Sequence, residues 1–173
     1  NNDVDLVVIV PVNEICSGDD VLISVSSYNA TDFQWTIIQD GVSGAAPGSG
    51  TNTPTGLEIT QTLILTGNTQ GTVDYIITPT LGTCIGEGQT ITVTVNPPDT
   101  PLFGDFGPYC FGEITTDILS TDSDNNVSGS WAPPTINTGV LGSSLYVFTP
   151  GEGECAVEAA MEILINEIPN VSF

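Results

Sequence analysis

The fold of this chain is decided by a pattern that occurs twice, as Tyr75-Ile-Ile-Thr-Pro79 and as Tyr146-Val-Phe-Thr-Pro150. In both places a cysteine follows after four residues, Cys84 in the first copy and Cys155 in the second. A pattern that recurs with the same spacing indicates a repeated module. The aromatic and β-branched residues of each copy favour a β-strand.

The repeat extends outward from this pattern in both directions. Three more features recur in the same order: Cys16-Ser-Gly-Asp19 with Cys110-Phe-Gly-Glu113, Trp35 with Trp131, and Ile91-Thr-Val-Thr-Val95 with Met161-Glu-Ile-Leu-Ile165. Between the copies lies Asn96-Pro-Pro-Asp-Thr-Pro101, whose prolines are typical of an extended, semi-rigid linker. We therefore predict two domains, at residues 1–97 and 98–173, the second of which ends in a linker to a further module.

The rest of the sequence predicts an all-β fold of two tandem β-sandwiches. Short runs rich in β-branched and aromatic residues alternate with turn clusters, which is typical of Ig-like domains. The predicted strands are residues 21–25, 33–38, 57–65, 73–78 and 90–95 in the first module, and 114–119, 129–131, 145–149 and 160–165 in the second. Residues 41–56 and 120–126 are predicted turns, and each tryptophan is expected in its module's core. The strand-like segment at residues 4–10 fits either the first module or the end of a preceding one.

The chain contains 21 Asp and Glu and no Lys, Arg or His, so that its formal net charge is −21. No side-chain ion pair can form, and each carboxylate must be solvated, accept a hydrogen bond from a neutral group or bind a cation. Imidazole bases, Schiff-base lysines and arginine clamps are excluded. A glycosidase carboxylate pair survives this exclusion, but nothing in the sequence marks one. We expect no enzyme activity, no nucleic-acid partner and no direct membrane insertion.

Four cysteines are present, at positions 16, 84, 110 and 155. An even number on an extracellular type of chain indicates two disulfides, for which three pairings exist. The repeat selects Cys16–Cys84 and Cys110–Cys155, one disulfide within each module. Four buried free thiols are the alternative.

One acidic segment has the pattern Asp-x-Asp-x-Asn that opens many calcium-binding loops. Asp122, Asp124 and Asn126 would supply oxygen ligands to an irregular calcium site. An EF-hand is excluded because Val127 and Pro133 stand where Gly and Glu are required. A solvated acidic turn is the alternative, and apart from calcium we expect no cofactor.

The chain resembles the PKD-like and Ig-like repeats of giant cell-surface proteins of the Bacteroidetes, including gliding-motility adhesins. The PKD-like pattern of the first module is carried by Ile15-Cys-Ser-Gly-Asp19, Phe33-Gln-Trp35 and Val73-Asp-Tyr-Ile-Ile-Thr-Pro79. The second module resembles the companion repeat at Tyr109-Cys-Phe-Gly112 and Gly129-Ser-Trp131. The resemblance implies an extracellular, cell-surface location, export by type IX secretion and a structural role in an adhesin stalk or filament. The implied partners are neighbouring repeats of the same polypeptide or filament, and surface glycans.

Three functions therefore agree with the sequence. The main expectation is a semi-rigid acidic spacer in a long stalk. The alternative is a module that binds carbohydrate or protein through residues 41–56, a long segment rich in Gly, Ser and Thr. A third reading is a fibre subunit whose N-terminal strand completes the sheet of a neighbouring copy.

Overall fold

The computed structural model describes residues 4–169 of the chain. The chain divides into two compact units, unit 1 (Asn1–Pro97) and unit 2 (Pro98–Phe173). No helix within residues 4–169 is long and apolar enough to cross a membrane. The strands of unit 1 are β1 (Val7–Ile9), β2 (Glu14–Cys16), β3 (Asp20–Ser26), β4 (Asp32–Asp40), β5 (Val42–Ser43), β6 (Gly48–Thr51), β7 (Leu57–Thr62), β8 (Ile64–Leu65), β9 (Gly71–Leu81), β10 (Cys84–Ile85) and β11 (Gln89–Asn96).

The core of unit 1 lies between two sheets. The smaller sheet has the strand order β1-β3-β7, and the larger has the order β2-β11-β9-β4-β6, with β10 attached to β9. Alternate residues of β9 are fully buried because successive side chains of a strand point to opposite faces. The buried cluster joins residues of both sheets: Val21, Ile23, Val25, Ile59, Phe33, Val73, Tyr75, Ile77, Val93 and Val95.

The first two strands attach to different sheets of unit 1. β1 pairs antiparallel with β3, with Val8 opposite Val25, so the segment at residues 4–10 belongs to unit 1. β2 pairs in parallel with β11 and places Cys16 opposite Asn96. The first cysteine is therefore beside the last strand residue of the unit.

Part of residues 41–56, a segment that the sequence predicted as a flexible turn region, forms an edge strand of the larger sheet. β6 lies within this segment and pairs with β4, and the short strand β5 pairs with β8. A Cβ on Gly48 would lie only 2.9 Å from Cε2 of Trp35, so glycine lets the backbone pack onto the indole. The indole Nε1 donates a hydrogen bond to the carbonyl of Ala46 at 3.0 Å. Gly48 therefore serves packing against an aromatic ring.

Unit 2 is built on one four-stranded sheet. Its strands are β12 (Tyr109–Cys110), β13 (Gly129–Ala132), β14 (Gly142–Pro150) and β15 (Ala159–Asn166), in the order β12-β15-β14-β13. The predicted strand at residues 114–119 is irregular, with Ile114 94% and Ile118 81% exposed. Only Leu119 of that segment joins the core. Within residues 98–169 the expected second sheet is absent, and irregular chain covers the core face instead.

Aromatic rings fill the core of unit 2. Trp131 is buried and its ring centroid lies 4.6 Å from that of Phe103 and 5.3 Å from that of Phe148. The indole Nε1 donates a hydrogen bond to the carbonyl of Ser120 at 2.9 Å. Trp35 of unit 1 is only partly buried and packs against the margin of its core.

Candidate functional site

The cysteines stand at defined ends of the two units, and the first of them occupies a tight turn. The Ser17 N–H donates to the carbonyl of Asn96 at 3.0 Å, which ties the turn to β11. The Asp19 N–H donates to the Cys16 carbonyl at 3.1 Å, and the Cys16 N–H donates to the Asp19 carboxylate at 3.3 Å. Gly18 has a φ of +102°, a value that glycine adopts without strain.

The turn at Cys110 in unit 2 repeats this arrangement. β12 pairs in parallel with β15, placing Cys110 opposite Asn166, and the Phe111 N–H donates to the Asn166 carbonyl at 2.8 Å. The Glu113 N–H donates to the Cys110 carbonyl at 3.0 Å, and the Cys110 N–H donates to the Glu113 carboxylate at 2.7 Å. Gly112 has a φ of +73°. The pattern Cys-x-Gly-acid thus specifies one turn, used in both units.

The second cysteine of each unit follows the Thr-Pro pattern. Gly82 and Gly153 both lie three residues after the proline and have positive φ values of +59° and +86°. Cys84 begins β10, opposite Leu81 of β9. The Cys155 carbonyl accepts a hydrogen bond from the Asp99 N–H at 2.8 Å, so this cysteine lies where the chain enters unit 2.

These positions explain why the predicted disulfides within each module are wrong. In unit 1, Cys16 lies at the end of β9 that begins with Gly71, because Gly71 is opposite Val95 and the next residue of β11 is opposite Cys16. Cys84 lies at the other end of β9, opposite Leu81. The two ends of this strand are roughly 33 Å apart, whereas the Cα atoms of a disulfide lie within about 7 Å.

The same separation holds in unit 2. Ile165 of β15 is opposite Gly142, at the start of β14, and it neighbours the residue paired with Cys110. Cys155 follows the other end of β14, which finishes at Pro150, roughly 26 Å away along the strand. A bond between Cys110 and Cys155 is therefore excluded by the sheet.

The structure contains a disulfide between Cys16 and Cys155, which links the two units. Cys84 and Cys110 are free, and both are exposed. The expectation of buried thiols is wrong for these two residues. Cys16 lies beside Asn96 and Cys155 beside Asp99, and these linker residues are three positions apart, a chain length of at most about 11 Å.

The predicted calcium ligands lie in a turn with hydrogen bonds of its own. The Ser128 hydroxyl donates to the Asp122 carboxylate at 2.7 Å, and the Asn126 N–H donates to the Ser123 carbonyl at 3.0 Å. Asn126 has a φ of +64°, a left-handed conformation that asparagine tolerates well. Asp124 is exposed, and residues 4–169 contain no group of three His, Cys, Asp or Glu side chains that could hold a metal ion. Calcium binding by Asp122, Asp124 and Asn126 stays a prediction.

Neutral donors serve many carboxylates, as the missing cations require. The Thr92 hydroxyl donates to Asp74 at 2.6 Å across β11 and β9, and the Ser143 hydroxyl donates to Glu162 at 2.9 Å across β14 and β15. Hydroxyl groups donate in the same way to Asp5, Asp20, Asp32, Asp117, Asp122 and Glu158. Hydroxyl groups thus take the place of basic side chains as hydrogen-bond partners of these carboxylates.

The repeated tyrosines are core residues with hydroxyl partners. Tyr75 is fully buried and its hydroxyl donates to Oε1 of Gln61 at 2.9 Å. Burial raises the pKa of Tyr75 to about 12. The hydroxyl of Tyr146 accepts a hydrogen bond from the Asn137 N–H at 3.0 Å. Neither side chain is placed to act on a ligand.

Comparison with known families supports the assignment of unit 1. Residues 13–99 match the PKD-like domain family, a stretch that covers β2 to β11 and half of the chain. Among curated proteins, none matches the chain. Because this match spans half of the chain, the chain belongs to the PKD-like domain family.

Proposed function

We propose that the chain is a structural repeat unit of a long extracellular stalk or filament and acts as a semi-rigid acidic spacer. The observation that carries the proposal is the disulfide between Cys16 and Cys155, because it crosslinks successive units instead of stabilising either one alone. A covalent bond across the linker suits a spacer under tension, because the bond carries force past the linker.

The position of the crosslink defines what it does mechanically. A force applied to the ends of the chain passes through Cys16 and Cys155, and the 138 residues between them are bypassed. While the bond is intact, unfolding of that segment cannot lengthen the chain. The bond also persists only in an oxidising compartment, which supports an extracellular location.

The surface chemistry agrees with this role. A net charge of −21 makes neighbouring filaments repel one another and keeps the chain soluble. Passive spacing requires no catalytic group and no cofactor. We further propose that the parent protein is a Bacteroidetes surface adhesin of the gliding-motility type, exported by type IX secretion, with neighbouring repeats and surface glycans as partners.

Pulling on single molecules tests the spacer function. The oxidised chain, held by its two termini, should gain at most roughly 120 Å when it unfolds, because only residues 1–15 and 156–173 lie outside the crosslink. After reduction, the same chain should gain roughly 450–500 Å more, because the 138 residues between the two cysteines also become extensible. If the oxidised chain lengthens as far as the reduced chain, the crosslink bears no load and the spacer proposal is wrong.

Ligand binding is the second candidate function, and a groove in unit 2 supports it. Ala46 and Gly48, within residues 41–56, are held against Trp35. Unit 2 has instead a groove of about 670 Å³ lined by Phe103, Phe106, Met161 and Leu164 among others. The acidic residues Asp105 and Glu162 also line it, and grooves that combine apolar side chains with polar groups are common ligand sites. Glycan-array binding that is lost in Phe106→Ala would favour this function over the spacer.

A further inference from the structure

We propose that Cys84 and Cys110 each form a further disulfide of the same kind, and that each bonds to a cysteine of another module of the same type. Each module would be joined to the following one through its first cysteine and to the preceding one through its second. This inference rests on the proposed function as a repeat unit. It adds the partner, a second copy of this fold, and the atoms that make the bond.

The first step is that Cys110 occupies the same structural position as Cys16. Each lies opposite the asparagine that ends its unit's last strand, Asn166 for Cys110 and Asn96 for Cys16. Both turns contain a glycine with positive φ and an acidic side chain that accepts the cysteine N–H. Cys16 bonds to the second cysteine of the following unit, so we expect Cys110 to bond to the second cysteine of the unit that follows it.

The second step is that Cys84 occupies the same position as Cys155. Both follow a Thr-Pro strand end and a glycine with positive φ. Asp99, the second residue of unit 2, hydrogen-bonds the chain beside Cys155, and the Val157 N–H donates to the Asp99 carbonyl at 2.8 Å. In unit 1 the corresponding contact is made by Val4, since a Cβ on Gly86 would lie 2.9 Å from the Cβ of Val4. Cys84 therefore lies where the chain enters unit 1.

The third step is exposure. Cys84 and Cys110 are free and exposed, although cysteine is among the residue types most often buried. Neither has a partner within its own unit, because Cys16 and Cys155 lie at the opposite ends of the respective sheets. Two equivalent cysteines of this chain are already joined, so a bond between positions of these two kinds has a precedent in the chain itself. In separate copies, Cys110 of one molecule would bond to Cys84 of the next.

The chemistry is thiol oxidation by a small-molecule disulfide. The Cys110 thiolate attacks oxidised glutathione, forming a mixed disulfide and releasing one glutathione thiolate. The Cys84 thiolate of the second copy then displaces the remaining glutathione. Two thiols and one glutathione disulfide thus give one protein disulfide and two molecules of reduced glutathione. Because the two bonding surfaces differ, the contact is head-to-tail and the product is an open chain.

Two single variants test this directly. Cys84→Ser leaves only the Cys110 thiol, and Cys110→Ser leaves only the Cys84 thiol. The two are mixed in equal amounts, one of them labelled with ¹⁵N, in a glutathione redox buffer, and the dimers are identified by intact mass under non-reducing conditions. Fragments are made with a protease that cleaves at acidic residues, since the chain has no Lys or Arg for trypsin.

Random collision would give the mixed dimer in twice the amount of either homodimer. We expect the mixed dimer, linked Cys110 to Cys84, to exceed that share by about tenfold, because docking raises the effective concentration of matched thiols. The unmodified chain should form a ladder of longer polymers that returns to monomer on reduction. A statistical mixture, or no crosslinked product, would overturn the inference. Either result leaves the spacer function standing, because the pulling experiment tests that on a single chain closed by Cys16 and Cys155.

Discussion

Cys16 lies directly opposite Asn96, in the parallel pairing of β2 with β11. The first cysteine of unit 1 therefore stands at the point where the chain leaves that unit. Asp99, three residues further on, hydrogen-bonds the Cys155 backbone at the start of unit 2. The two cysteines that form the disulfide therefore lie beside the two ends of the short Pro-Pro linker.

The disulfide between Cys16 and Cys155 predicts that only one of two pairs of cysteine substitutions lowers the melting temperature. Replacing Cys16 and Cys155 together by Ser should lower the melting temperature by about 10 °C, because a disulfide that closes a loop of this length contributes about 3–5 kcal/mol in the chain-entropy model. Cys84→Ser together with Cys110→Ser is the matched control and should leave the melting temperature of the monomer unchanged. Differential scanning calorimetry decides between them, and equal losses in both variants would restore the pairing within modules.

The packing of β6 on Trp35 predicts that adding one methyl group at position 48 lowers the stability of the fold. Gly48→Ala places a Cβ against the indole ring, and overpacking of this kind costs about 1–3 kcal/mol. Gly67→Ala is the control, since a Cβ there would have no atom within 4 Å. Urea unfolding followed by tryptophan fluorescence should show a lower midpoint for Gly48→Ala alone. Identical midpoints would mean that residues 41–56 do not rest on the ring.

Buried phenols predict a loss of stability in alkali. Folding raises the pKa of Tyr75 from 10.0 to about 12, so the folded state prefers the neutral phenol. Its contribution is complete below pH 10 and is lost as the pH rises toward 12. Burial and the hydrogen bond to Asp117 raise the pKa of Tyr109 in the same direction. Tyr75→Phe should therefore weaken the decline of the melting temperature between pH 10 and 12, whereas Tyr28→Phe, at an exposed position, should not.

Self-repulsion predicts a stabilising effect of salt. With 21 acidic side chains and no basic ones, the folded state concentrates charge of one sign. Raising sodium chloride from about 10 to 300 mM shortens the Debye length from about 30 Å to below 10 Å, which screens this repulsion. The melting temperature should rise over that range, and calcium should raise it further at equal ionic strength if residues 122–126 bind the ion. A melting temperature that is independent of salt would show that repulsion does not limit stability.

Local sequence determined much of this protein. The duplicated motifs set the two cysteine turns, since Cys-x-Gly-acid needs only a glycine with positive φ and a nearby carboxylate. β-Branched and aromatic runs identified β3, β4, β9 and β11, whose alternate residues are buried in unit 1. The absence of Lys, Arg and His required neutral partners for the carboxylates, and Thr92 and Ser143 are two of them.

Only the tertiary structure decided which cysteines meet. The sequence shows how far Cys16 and Cys84 are from one another along the chain, but the direction and length of β9 put them at opposite ends of a sheet. The same holds for Gly48, which looks like part of a flexible turn but packs against the indole of Trp35. It also holds for Ile114 and Ile118, which look like strand residues but are exposed outside any strand. The physical reason is common to all three: local composition specifies what a segment can form, and its neighbours in space decide what it does form.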